Sequence, residues 1–223
     1  MSRHMYFHRE IDQLKDMVIT LGTLVEDRLR RACAILETKD EEESRKIMTS
    51  DWEVDDMEIR VEEECLKILA LHQPVARDLR LIVAVIKINS ELERIADIAV
   101  NLAKRILTIN ENKSCDFVFV LDYQPMAAKI LEMVKTSLDA LVTEDAALAR
   151  QIFLMDDEVN HARDVAYKTV MEEIGRRQTD AACLVNLYLI ARHLERIGDR
   201  AKNIAEEIIY LVEGEIVRSS ENP

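Results

Sequence analysis

What this chain has little of narrows it before any motif is read. Glycine and proline number only 4 and 3 in 223 residues, which leaves little room for turn-rich architectures and suits long helices. Positive charge is in deficit: 30 Lys and Arg stand against 43 Asp and Glu, for a net charge of −13. Nucleic acid is therefore not expected as a partner, and the acidic surface suits cations or basic protein surfaces. No apolar run approaches the ~20 residues of a membrane span. Residues 1–10 are polar and lack a signal-peptide pattern. Cysteine is sparse and scattered: Cys33, Cys65, Cys115 and Cys183 form neither a zinc pattern nor a disulfide framework, which implies a reducing, cytoplasmic setting. There is no Gly-rich phosphate loop, nucleophile elbow or Ser-His-Asp ordering. Glu158 and His161 have no second Glu-x-x-His pair to complete a ferritin-like centre. An enzyme is not expected. The single tryptophan, Trp52, and the nine methionines read as packing.

What the chain does have is a repeat. Leu92-Glu93-Arg94-Ile95-Ala96-Asp97 returns as Leu194-Glu195-Arg196-Ile197-Gly198-Asp199, offset by 102 residues. The same offset carries Asn101 onto Asn203 and Asp78 onto Asp180. Fixed self-similarity of this kind marks a duplicated structural unit. Apolar stripes at helical spacing divide each half into three long helices, near residues 7–37, 41–71 and 75–108, then 125–142, 144–175 and 180–213. Asp40 is a candidate cap, a break is expected near Thr49-Ser50, Pro74 marks a turn and Gly175 a stop. Residues 117–121 read as a packed connector. The expected fold is all-α: two tandem three-helix bundles, residues 5–110 and 111–218.

At about 100° per residue, Glu93, Asp97 and Asn101 share one side of their helix. Leu92, Ile95, Ala99, Leu102, Ala103 and Ile106 gather on nearly the opposite side. A solvated outer face is the usual meaning of such a pattern. Solubility alone, however, does not require Glu, Asp and Asn at matching places in both halves. The preceding helices carry acids too. In a helical hairpin, level residues have a constant index sum. Asp55 with Glu93, and Asp51 with Asp97, both sum to 148, centred on Pro74. Asn160 with Glu195, and Asp156 with Asp199, both sum to 355, again centred on the turn. Glu58 shares the face of Asp55, and Asn101, Asn203 and Glu206 extend the stripes.

Packed helix axes lie about 8–10 Å apart, within reach of long carboxylates. Such like-charged groups repel unless they are protonated or bridged by cations. Oxygen donors suit hard ions such as magnesium, calcium, manganese or iron, with zinc left open. A carboxylate-bridged di-metal hydrolase or oxidase, and a metal-free helical scaffold, are the other readings of the same acids.

At these residues the chain resembles the PhoU family of bacterial phosphate-transport and phosphate-signalling regulators. The resemblance rests on Gln73-Pro74-x-x-x-Asp78-Leu79-Arg80, Glu91-Leu92-Glu93-Arg94-Ile95-x-Asp97 and Leu194-Glu195-Arg196-Ile197-Gly198-Asp199-Arg200 with Asn203-Ile204. It covers nearly the whole chain. It implies two pseudo-twofold-related three-helix bundles with multinuclear metal clusters on their surfaces. Carried over by position, the metal-motif residues are Asp51, Asp55, Glu93, Asp97, Asp156, Asn160, Glu195 and Asp199. The resemblance also implies negative regulation of phosphate uptake, through a phosphate ABC transporter and its ATPase and a phosphate-responsive sensor histidine kinase. A homodimer is expected.

Overall fold

The computed structural model describes residues 3–111, 121–176 and 180–217. These form seven helices: α1 (Arg3–Thr38), α2 (Glu41–Thr49), α3 (Trp52–His72), α4 (Ala76–Glu111), α5 (Gln124–Thr143), α6 (Ala146–Arg176) and α7 (Ala181–Glu213). The count exceeds six because the middle helix of the first half is broken where the sequence suggests. Asp40 caps α2, its carboxylate accepting the Glu43 N–H at 3.0 Å, and Ser50 ends that helix. Asp51 makes no cap bond to α3. Instead it faces α1, where buried Arg28 donates to its Oδ1 at 2.7 Å and also to the Ser50 carbonyl. A guanidinium thus fills the break. The helix expected to stop at Gly175 runs on to Arg176. Residues 117–120, expected as a packed connector, lie outside the described residues.

With so few glycines, ordinary residues close three of the helices, while Gly214 closes α7. Lys39, Gln73 and Glu144 follow α1, α3 and α5 with φ of 53°, 50° and 51°. This left-handed backbone is the usual helix stop, and it strains a residue that carries a Cβ.

The apolar stripes become the core. Leu14, Val18, Leu21, Val25, Leu29 and Ala32 of α1 are buried, as are Ile130 and Val134 of α5. α1, α2–α3 and α4 pack as one group and α5, α6 and α7 as the other, while α4 meets α7 and α1 meets α5 between them. α4 and α7 are therefore covered on more than one side. Three side-chain contacts define their register. Lys87 Nζ donates to Glu207 at 2.9 Å, Arg200 Nη1 to Glu91 Oε2 at 3.1 Å and Arg105 Nη1 to Asn186 Oδ1 at 3.1 Å. The index sums, 294, 291 and 291, are nearly constant, so the two helices run antiparallel. Ile95 and Ile197, which the repeat offset relates, sum to 292 and lie level. The pseudo-twofold axis passes between the two copies of the repeated phrase.

Two expectations are corrected. Trp52 does not pack: it is 66% exposed at the start of α3. Cys33 and Cys65 are free and buried, but Cys183 is disulfide-bonded. No helix among the described residues is long and apolar enough to cross a membrane.

Candidate metal centre

The hairpin of α3 on α4 brings the first set of acids within electrostatic reach of one another. Burial, then Asp51 and Asp97, raises the pKa of Asp55. Burial, then Asp97, Asp55 and Glu58, lifts Glu93 to about 7. Glu58 is raised by burial, Glu62 and Asp55. These mutual influences follow the level pairing that the turn imposes. Asn89 of α4 fixes that register by donating to the Glu58 carbonyl of α3 at 2.9 Å. Glu93 is half-buried and Asp97 exposed, so the face opens to solvent. Its compensation is sparse: Arg28 takes Asp51, and Arg94 only partly offsets the repulsion at Glu93.

The second set is built differently. Asp156 of α6 is 1% exposed and Glu195 of α7 4% exposed, where these two helices pack on each other. Lys202 donates to Asp156 Oδ2 at 2.8 Å, and the Asn160 amide donates to the same oxygen at 3.1 Å. Arg192 grips both oxygens of Glu195, and Arg163 stands 3.7 Å from it. Asp156 Oδ1 is buried without a partner. Burial, then Asp156, raises the pKa of Asp199, with Arg200, Arg192 and Lys202 opposing. Burial and Asp199 raise Glu195, against Arg192 and Arg163.

Among the described residues no three carboxylate, imidazole or thiol groups converge closely enough to hold a metal ion as they stand. The chemistry of the donors separates the two faces. Asp55, Glu58, Glu93 and Asp97 are oxygen donors whose mutual repulsion lacks positive charge, and they fit a hard cation. Around Asp156, Asn160, Glu195 and Asp199, an ammonium and two guanidinium groups already occupy the place of a cation. That face does not fit one without their displacement.

The remaining candidates fall elsewhere. Asn101 lines a cleft toward α7 with Arg94, Asp97, Ile98, Arg196 and Arg200. The Asn203 amide donates to Glu91 Oε2 across the same seam at 3.2 Å. Glu206 lines a separate hollow with Val83, Lys87, Glu207 and Tyr210. Sequence reasoning missed Arg28, Lys202, Arg163 and the seam. A signal for the seam exists: Lys87, Arg94 and Arg105 fall at about 100–120° from Glu93 on the helical wheel, and Arg196 and Glu207 occupy the same angles on α7. This second polar stripe recurs in both halves.

Fold and site together define a class: a duplicated helical-bundle protein with paired acidic faces beside an antiparallel central seam. Residues 18–106 and 124–208 each match the PhoU domain model. A Thermotoga maritima protein named "Phosphate-specific transport system accessory protein PhoU homolog 1" is 34% identical over 96% of this chain and 92% of its own length. The Escherichia coli accessory protein PhoU is 29% identical over 95% of this chain and 87% of its own length. The crystal structure of PhoU from Pseudomonas aeruginosa superposes with a TM-score of 0.89 at 32% identity, covering 94% of this chain and all of that one. The chain belongs to the PhoU family, a family of accessory and regulatory proteins rather than enzymes.

Proposed function

We propose that this protein restrains phosphate uptake and phosphate-starvation signalling through protein contacts. In this reading the partners are the ATPase of a phosphate ABC transporter and a phosphate-responsive sensor histidine kinase, and the protein acts at the cytoplasmic face of the membrane as a homodimer. Relatives matching over nearly the whole chain are named as accessory proteins of the phosphate-specific transport system, and that observation carries the reading. The halves, residues 5–110 and 111–218, act as its two structural units.

The acidic face of the first half is proposed as a metal-binding surface, with Asp55, Glu58, Glu93 and Asp97 as its donors. A bound cation would supply the positive charge that this face lacks. The carboxylates of α3 and α4 would then be held together, because an ion bound only by the folded state stabilises it. In the second half Lys202, Arg192 and Arg163 already serve that purpose, so Asp156, Asn160, Glu195 and Asp199 are proposed to bind metal more weakly. Zinc, iron, manganese, magnesium and calcium are the candidate ions.

The test pairs Glu93→Gln/Asp97→Asn with Glu195→Gln/Asp199→Asn, which keep size and remove charge. Elemental analysis of the purified proteins should show metal lost from the first variant and changed less in the second. In cells lacking their own copy, the first variant should fail to silence a phosphate-starvation reporter. A folded, metal-free first variant that still represses would place regulation elsewhere on the molecule.

A further inference from the structure

The motif arginines have no part in the metal reading, yet they meet at one place. Arg94 and Arg196 are related by the repeat offset, and with Arg200 and Asn101 they line a cleft of about 260 Å³ in the seam between α4 and α7. Asp97 and Ile98 complete the lining. Arg94 Nη1 and Arg200 Nη1 each donate to one oxygen of Glu91, at 2.9 and 3.1 Å, so one buried carboxylate serves two guanidinium groups. Arg196 makes no hydrogen bond or ion pair among the described residues. The Nε of Arg200 is buried without a partner. One turn before the cleft, half-buried His193, whose ring nitrogens are buried without a partner, is held neutral, with its pKa pushed down to about 4 by burial and by Arg105, Arg196 and Arg192. On a chain of net charge −13, the lining of this cleft carries three guanidinium groups and one carboxylate. The one carboxylate in the lining, Asp97, also faces Asp55 and Glu93 on the acidic side.

Like charges gathered in a partly enclosed space need counter-charge, and against the three guanidinium groups of the lining stand Glu91, which Arg94 and Arg200 share, and Asp97, which also faces the acidic side. Guanidinium groups present planar forks of N–H donors that match phosphate oxygens in pairs. The volume lies just below the ~300–1,000 Å³ of pockets that take drug-sized ligands, which favours a small oxyanion over a nucleotide. We propose that the α4–α7 cleft is an anion site in which Arg94, Arg196 and Arg200 bind inorganic phosphate or pyrophosphate directly, on the pseudo-twofold axis and without a metal. The site draws on both halves, so its occupant links them. The inference does not rest on the acidic face holding metal.

The experiment uses the full chain, stripped with a chelator, at low ionic strength. Inorganic phosphate and pyrophosphate are titrated calorimetrically against matched sodium chloride. Saturable binding is expected for both phosphates and none for chloride. Arg196→Gln should weaken binding by about tenfold or more, as loss of a charge-assisted contact does. Arg94→Gln should also weaken it, whereas Arg45→Gln, an exposed arginine of α2, should bind as the wild type does. Arg196 is exposed, so its substitution leaves the core intact, and circular dichroism checks this. No saturation up to millimolar phosphate would overturn the proposal, as would binding unchanged in a folded Arg196→Gln protein. Binding that appears only after metal is added, and survives Arg196→Gln, would overturn it too while leaving the metal reading standing.

Discussion

At the residue scale the decisive contrast is between carboxylates that have a cationic neighbour and those that do not. Glu195 and Asp156 are the more buried, yet Arg192 and Lys202 hold them. Glu93 is less buried and has no such partner, and its pKa rises to about 7 from an ordinary 4.5. Between those values the folded state binds more protons at Glu93 than the unfolded chain does. Its ionisation therefore opposes folding increasingly as pH rises through that window. In chelator-treated protein, Glu93→Gln should gain on the wild type, and gain more at pH 8 than at pH 5, when urea midpoints are compared. A difference that does not change with pH would mean that Glu93 is not held up by its neighbours. Arg28 and Lys202 escaped sequence reasoning because each reaches its carboxylate from a different helix, at chain separations of 23 and 46 residues. No local spacing encodes such contacts.

At the element scale most of the architecture was legible. The stripes of α1 and α5 are the buried faces, the break after Thr49 occurs, and the hairpin about Pro74 aligns Asp55 with Glu93. What stayed hidden was the second covered side of α4 and α7. A single helical wheel offers one apolar arc and treats the rest as solvent. It cannot show that another helix lies over a polar stripe of Lys, Glu, Arg and Asn. That is why Asn101 and Asn203 belong to the seam, whereas Glu195, read as outward, is buried beside Arg163 of α6. The repeat also explains its own mismatch. A Cβ placed on Gly198 would meet Met133 Cε and Val159 Cγ1 at 3.5 Å and Asp156 Oδ1 at 3.7 Å, ordinary contacts, and Ala96 already occupies the equivalent place. Gly198→Ala should therefore stabilise the protein by about 0.5–1 kcal/mol, the gain from removing a mid-helix glycine, seen as a higher urea midpoint. A lower midpoint would show that α6 and α7 pack closer than these distances indicate.

At the scale of the whole molecule, one contiguous core runs through both groups of helices, joined by α4 on α7 and α1 on α5. The chain should unfold in a single step. The helical signal by circular dichroism and the calorimetric transition should share one midpoint, with equal calorimetric and van't Hoff enthalpies. Two resolved transitions would mean that the halves are energetically independent. Tryptophan fluorescence is a poor probe of this because Trp52 is 66% exposed.

The register of α4 on α7 makes the pair a balanced lever. The 36 residues of α4 form a rod about 54 Å long that crosses its counterpart near its own midpoint, at Ile95. With ~24 Å of helix on the shorter arm, a change of about 5° in the crossing angle swings that tip through about 2 Å. The fulcrum lies where the two repeated phrases meet, so a change in the crossing angle there would be enlarged at both ends of α4 at once and in opposite senses.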